Sequence, residues 1–436
     1  MTTAPADTQM RRPRRRRWWH WPLAGCAVLL LGALGTGAVF LCFTGARQHD
    51  AVRRLEAMGV PLDPAKLAKP AIPASRNAAV VYGQAFNAID LSTADEEFAG
   101  DVSAGKLSLE VGWVAAQASD LFERNRRALV LLHRASAMPE CDFGVNPMVP
   151  SPAPTHFAGL RQSSRLLRFE SAVFSHVNRP DDAVAACAVN VRLANAAEEP
   201  YLIAELVRYA IIAIASRALE ETLAESQPSE RACRSLAAEI ARMDLAASYV
   251  ETMKGECAVG YATQARLAPP SRPGRLLARL TQSDPQSYLA MMADVIEEAP
   301  LAYRETIALH PEALEGEEPG LQLPTRVFAR MLVPLYIKVK SKRDQSIATL
   351  DLDHLALLLK AYKARHGQYP DSLADLAKYA GYALPTDPFS GQPYVYKPTG
   401  DGFHIYSWGP NLKDDGGTPP PKGKYDEGDL VFRCSR

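Results

Sequence analysis

Apolar residues return at three- and four-residue spacing over most of the chain, from about residue 77 to about residue 342. Ala, Leu, Glu and Arg are abundant there and β-branched residues seldom alternate with polar ones, which is typical of amphipathic helices. The clearest predicted helices are Lys106 to Ala137, Phe157 to Val177, Asp181 to Ala197, Tyr201 to Ala224 and Ser229 to Met253. The pattern therefore predicts an α-helical body.

The stretches between the predicted helices are rich in Pro, Gly or polar residues. Three of them, Pro139 to His156, Ala268 to Gly274 and His310 to Thr325, are long enough to be predicted as surface loops. The helix from Tyr201 is strongly apolar, but charged residues such as Glu205 interrupt it. We therefore expect a buried helix of the core there and not a membrane span.

The pattern changes after about Arg326. A long helix is predicted to end at His366, where Gly367 and then Pro370 stop it, and a short helix follows from Leu373 to Tyr379. Alternating residues then predict a hairpin of Tyr394 to Tyr396 with Gly402 to Ser407, and a last strand from Leu430 to Phe432. A helix followed by a small antiparallel sheet is an α+β unit.

A run without Lys, Arg, Asp or Glu extends from Trp18 to Ala46, and Trp21 to Thr44 is nearly all apolar. About 20 such residues cross a hydrocarbon core of roughly 30 Å, so this run predicts a transmembrane helix. Six arginines between Arg11 and Arg17 precede it and, by the positive-inside rule, keep the N-terminus in the cytoplasm. The sequence thus predicts a single-pass protein of the bacterial inner membrane with its bulk in the periplasm.

A cleaved signal peptide is the alternative interpretation of this run, since Thr44-Gly45-Ala46 has the small residues of a cleavage site. The apolar run exceeds the ~7–15 residues of a signal-peptide core, which favours the membrane helix.

The predicted fold class is mainly α, in four parts. These are a basic cytoplasmic tail at 1–20, a transmembrane helix at 21–44, an α-helical extracytoplasmic domain at 45–325 and an α+β domain at 326–436.

The charge balance and the cysteine spacing argue against nucleic-acid binding, zinc binding and thioredoxin-type redox chemistry. The net charge is zero, and with the basic tail set aside the remainder is mildly acidic, which argues against nucleic acid as a partner. Of seven cysteines, Cys26 and Cys42 lie in the predicted membrane helix and five lie outside it. No C-x-x-C pair occurs, so neither a zinc knuckle nor a thioredoxin-type redox site is expected.

The C-terminal part carries a series of short motifs in a distinctive order. They are Gly367-Gln368-Tyr369-Pro370, Leu384 to Phe389, Pro393-Tyr394, Ile405 to Gly409 and the acidic turn Asp414 to Gly417. In order and spacing this part resembles the C-terminal globular domain of the major pseudopilin of type II secretion systems. The resemblance implies a long helix packed on a small antiparallel sheet.

In that family the loop after the Tyr-Ser-x-Gly strand binds calcium. The resemblance therefore implies a calcium site with Asp414, Asp415 and Asp429 as ligands, and Asp426 as an alternative to Asp429. Calcium takes six to eight oxygen ligands, which a loop can supply from carboxylates and backbone carbonyls together. The basic run from Thr418 to Lys424 departs from the family.

A second departure concerns assembly. The chain lacks the prepilin-peptidase site of pseudopilins, and roughly 280 residues separate its predicted membrane helix from the pseudopilin-like unit. A pilus subunit is therefore not expected.

The His, Ser and acidic residues do not form a common catalytic motif. No H-E-x-x-H, G-x-S-x-G or phosphate-binding glycine loop occurs, and the acidic pair Glu220-Glu221 is expected on a solvated helix face. The leading hypothesis is a membrane-anchored, non-enzymatic protein that binds an unidentified envelope protein. The alternatives are an envelope hydrolase with its site in the helical body near Cys141 and His156, and a structural spacer.

Overall fold

The computed structural model describes residues 50–145, 156–281, 283–311, 327–421, 423–424 and 426–434. The predicted tail and the predicted transmembrane helix Trp21 to Thr44 lie outside these ranges. Within the ranges, no helix is long and apolar enough to cross a membrane.

Helices dominate the described residues and a small antiparallel sheet closes the chain, which confirms the mainly α fold. A helical segment covers 50–57, and a 3₁₀ turn covers Pro64–Leu67. The α-helices are α1 Ala78–Ala88, α2 Thr93–Ser103, α3 Gly112–Ser136, α4 His156–His176, α5 Pro180–Ala196, α6 Leu202–Glu225, α7 Glu230–Ile240, α8 Leu245–Leu267, α9 Arg272–Leu280, α10 Pro285–Glu298, α11 Tyr303–Leu309, α12 Val327–His366 and α13 Leu373–Ala380. The strands are β1 Val395–Thr399, β2 Gly402–Ser407 and β3 Leu430–Cys434.

Three of the predicted boundaries are wrong. The helix predicted to begin at Lys106 begins at Gly112. The predicted helix Ser229 to Met253 is divided into α7 and α8, because Asp244 accepts a 2.9 Å hydrogen bond from the Ala247 amide and so caps a new helix. Helix α9 begins inside the predicted loop Ala268 to Gly274, at Arg272.

The core of the body lies where α4, α5 and α6 pack on one another. Ile211 and Ile212 of α6 are buried, so this apolar helix is a core helix, as its interrupting charges predicted. Two of those charges are buried with it, and the Arg208 Nη1 atom lies 3.7 Å from Glu205 Oε2. Helices α1 and α3 pack together on one flank, and α8 and α10 on another.

Helix α12 connects this body with the C-terminal sheet. Every residue from Leu355 to Leu359 is at most 2% exposed, and five consecutive helical residues point in all directions around the axis. On one side α12 contacts α6 and α7, and on the other it contacts β2, β3 and α13. The helical body and the C-terminal unit therefore share one hydrophobic core.

The sheet has the order β1-β2-β3, with both pairs antiparallel. Phe403 of β2 is opposite Cys434 of β3, and its ring stacks on Phe432. Helix α12 packs on β2 and β3, and the edge strand β3 also contacts α6.

Candidate functional site

The acidic loop after β2 contains the three predicted calcium ligands. Asp429 is fully buried and accepts hydrogen bonds from two backbone amides, that of Asp415 at 3.2 Å and that of Gly417 at 2.6 Å. Gly417 has a φ of +86°, a left-handed conformation that favours glycine. Asp429 therefore fixes the turn of the loop by charge-assisted hydrogen bonds.

Burial raises the pKa of Asp429, whereas the hydrogen bonds from Gly417 and Asp415 oppose the rise. The negative charges of Asp415 and Asp414 add to it. The loop thus concentrates negative charge around one buried carboxylate.

Asp414 and Asp415 are also hydrogen bonded within the loop. The Tyr406 hydroxyl donates to Asp414 Oδ1 at 3.2 Å, the Gly416 amide donates to the same oxygen at 2.9 Å, and Asn411 Nδ2 donates to Asp415 Oδ2 at 2.7 Å. Asp426, the alternative ligand, lies 3.7 Å from Lys342 Nζ.

The carboxylate oxygens of this loop are the atoms that would bind a metal ion. Among the described residues, no three His, Cys, Asp or Glu side chains are placed to hold a metal ion together. The oxygens of Asp429 are directed at backbone amides and not at a common centre. In this arrangement Asp429 serves the amides of the loop, and calcium remains a prediction of the resemblance alone.

A groove of about 240 Å³ lies beside this loop, where the body meets the sheet. Helix α6 contributes Ser216 and Glu220 to its wall, α12 contributes Thr349 and Leu352, and the far wall runs from Asp429 to Phe432. The groove therefore follows the outer edge of β3.

Glu220 is the charged residue of α6 in this groove. Its carboxylate accepts from Arg217 Nη1 at 2.8 Å and from the Arg433 amide at 3.4 Å. Burial raises the pKa of Glu220, and the Arg217 charge lowers it. Arg168 binds Glu221 through two hydrogen bonds of 2.6 and 2.8 Å. The expectation that Glu220 and Glu221 lie on a solvated helix face is therefore wrong, because β3 covers Glu220 and Arg168 covers Glu221.

Beneath the groove lies a buried acid. Ser216 Oγ donates to Asp353 Oδ1 at 2.7 Å, and burial raises the pKa of Asp353 well above its usual value. Nothing in the local sequence relates Ser216 and Glu220 to a loop that follows some 200 residues later. Sequence reasoning missed them for that reason.

The second predicted region lies around Cys141 and His156. The His156 ring stacks on Phe143 with centroids 4.2 Å apart, and its Nε2 atom lies 3.2 Å from Glu199 Oε1. Burial raises the pKa of Cys141 to about 12, so its sulfur is a protonated thiol at neutral pH. The structure brings His156 to a carboxylate but does not activate Cys141 as a nucleophile.

No protein-family model, curated protein or solved structure matches this chain. The resemblance to the pseudopilin domain accordingly remains a prediction from its motifs.

Proposed function

We propose that this chain is a single-pass membrane protein whose extracytoplasmic body binds a partner protein of the bacterial envelope. The observation that carries the proposal is the position of segment 50–57, six residues beyond the predicted membrane helix. Ala51 and Leu55 are buried in the core, and Arg54 Nη1 donates to Asp294 Oδ1 of α10 at 2.9 Å. A body that begins so close to the membrane helix is held near the membrane surface.

Three polar side chains that could serve catalysis are either unactivated or held in structural hydrogen bonds, which supports a binding role. Cys141 is a protonated thiol, Asp429 holds two loop amides, and Asp353 accepts from Ser216. The groove along β3 offers in their place a largely apolar wall with two carboxylates, Glu220 and Asp429, which suits the capture of a polypeptide segment.

The C-terminal unit is suited to be the rigid, pseudopilin-like end of the molecule. Asp387 accepts hydrogen bonds from the Phe389 and Ser390 amides, both at 3.1 Å, and from Ser407 Oγ at 2.7 Å. It also accepts from the Trp408 amide at 3.2 Å. One buried carboxylate thus ties the turn before β1 to the end of β2, in the motifs that carry the resemblance.

Membrane fractionation tests the anchor. Replacing Leu30 and Leu34 with Arg introduces two charges into the predicted membrane helix, each costing about 2.5–3.5 kcal/mol at its centre. The double variant is expected in the soluble fraction or as an uninserted precursor. The matched control, Val111→Arg with Val130→Arg, adds the same charge at two exposed positions of the body and is expected to remain in the membrane. Unchanged fractionation of the Leu30 and Leu34 variant would refute the anchor.

Site-specific photo-crosslinking in cells tests the binding role. A photoreactive residue in place of Thr349, in the groove, is expected to give one discrete adduct with an envelope protein, whereas the same residue at exposed Val130 is expected to give none. Absence of an adduct from Thr349 would favour a spacer.

A further inference from the structure

The stretch from Cys257 to Ser283 contains no Asp or Glu. It carries four arginines, Arg266, Arg272, Arg275 and Arg279. In a chain whose basic and acidic residues are equal in number, 27 residues with four positive charges and no negative charge form a distinctly basic segment.

Helix α9 lies in this segment and exposes leucines beside its arginines. Leu276 and Leu277 are 48% and 62% exposed, and Leu267 at the end of α8 is 73% exposed. Arg272 and Arg275 are exposed as well, whereas Ala278 is buried against the body. The outer face of α9 therefore presents apolar side chains together with positive charge.

The turn that leads into α9 is fixed by one of these arginines. Arg275 Nη1 donates to the carbonyl oxygens of Pro269 and Pro270, so the end of α8 and the start of α9 are held together. Leu267, Leu276 and Leu277 are thus exposed on neighbouring segments, which together with Arg272 and Arg275 we call the basic apolar face.

The position of the basic apolar face relative to the predicted anchor follows from chain lengths. Six residues from Thr44 to Asp50 span at most about 20 Å. Arg54 is bonded to Asp294, which lies about 14 Å along α10 from Pro285, and α9 ends five residues before Pro285. The end of α9 accordingly lies within about 45 Å of the Arg54 backbone, on a body tethered close to a bilayer.

We infer that the basic apolar face rests on the anionic phospholipid surface of the membrane that anchors the chain. The inference rests on the proposed function, because it requires the membrane helix. Leucines of such a helix enter the region between headgroups and acyl chains, while arginines bind the phosphates. A helix of nine residues binds weakly by itself, but the anchor makes its contact with the bilayer intramolecular.

The size of the face favours lipid over a protein partner. A specific protein interface buries about 800 Å² on each partner, with 20–30 residues a side, and three leucines on two helix ends do not form such an area. Binding to a charged lipid surface requires only that a few apolar side chains enter the headgroup region close to two or more basic side chains.

Hydrogen exchange of the full chain in lipid nanodiscs tests the inference. An exposed nine-residue helix is marginal by itself, so the α9 amides exchange rapidly unless the helix is docked. We expect them to exchange at least about tenfold more slowly in nanodiscs containing phosphatidylglycerol than in nanodiscs of phosphatidylcholine alone. The variant Arg272→Gln with Arg279→Gln, which keeps the bonds of Arg275 in the turn, is expected to lose most of this difference. The control Arg126→Gln with Arg127→Gln removes the same charge from exposed positions of α3 and is expected to keep it.

The outcomes separate this inference from the proposed function. A chain that fails to co-elute with nanodiscs refutes the anchor and the lipid contact together. A chain that co-elutes but whose α9 amides exchange equally in both lipids refutes the lipid contact alone. Equal protection in both lipids and in detergent also overturns it, because the face would then be covered by protein.

Discussion

Arg343 is the largest fully buried side chain of the molecule's described part and holds α12 to the connection between α10 and α11. Its Nη1 atom donates to the Ala299 carbonyl at 2.6 Å, Nη2 donates to the Leu301 carbonyl at 2.8 Å, and Nε donates to Asp344 Oδ1 at 2.6 Å. Asp344 in turn accepts from the Tyr303 amide at 2.6 Å. The buried pair thus satisfies backbone groups on both sides of the short connection.

The variant Arg343→Met isolates this arrangement, because Met and Arg have similar helix propensities and Met fills much of the same volume. Two buried carbonyls lose their donors and the Asp344 carboxylate remains buried without its cation. Removing one partner of a buried ion pair costs about 3–5 kcal/mol. We expect a loss of about 4 kcal/mol in the free energy of unfolding.

A second variant tests whether the unpaired charge causes most of this loss. Adding Asp344→Asn to Arg343→Met removes the charge and keeps an oxygen that accepts from the Tyr303 amide. The double variant is expected to recover about 1–2 kcal/mol, because a neutral amide costs less to bury than a carboxylate.

The assay is urea unfolding of the full chain in detergent, followed by far-ultraviolet circular dichroism. The matched control is Arg365→Met on the same helix, whose guanidinium is 60% exposed and lies 3.5 Å from Glu230. A surface pair contributes at most about 1 kcal/mol, so the control is expected to remain near the unmodified chain. If Arg343→Met falls within about 1 kcal/mol of this control, the role assigned to the buried pair is refuted.

Two further predictions concern acidic groups of the C-terminal unit. Burial raises the pKa of Asp351 to about 7, although Tyr394 donates a 2.7 Å hydrogen bond to its carboxylate. The pKa of the folded chain thus exceeds the value of about 4 in the unfolded chain, so stability should fall as pH rises from about 4 to above 7. Asp351→Asn should gain about 4 kcal/mol over the unmodified chain at pH 8 and little at pH 4, and a gain that is the same at both pH values contradicts this. The pseudopilin resemblance predicts that millimolar calcium raises the melting temperature of the full chain and that Asp414→Ala with Asp415→Ala abolishes the rise. The absence of a rise would refute the calcium site. The full chain is required in both tests, because α12 is packed into the body.

Local patterns predicted the elements well where a helix or strand depends on its own residues. The predicted long helix ending at His366 is α12, and the predicted strand Gly402 to Ser407 coincides with β2. Helix α9 escaped prediction because Pro269, Pro270 and Gly274 give this stretch the composition of a loop. Its helix depends on the turn that Arg275 closes, which composition does not reveal.

The groove could not be predicted, because its chemistry arises from distant parts of the chain. Glu220 meets the amide of Arg433 across 213 residues, and Ser216 meets Asp353 across 137. A helical pattern indicates which face of α6 is apolar, but not that a strand edge covers the charged residues beside it. The same holds for His156 and Glu199, which lie on different elements.

The burial of α12 bears on how a pseudopilin-like unit would work in this protein. In the family it resembles, the membrane helix leads directly into the globular head. Here the long helix is covered by the body on one side and by the sheet on the other, from Leu355 to Leu359. Freeing it for assembly would expose five buried side chains, four of them leucines at about 1.5–3 kcal/mol each. The C-terminal unit is therefore fixed to its own body, which supports the proposal of a stationary binding end.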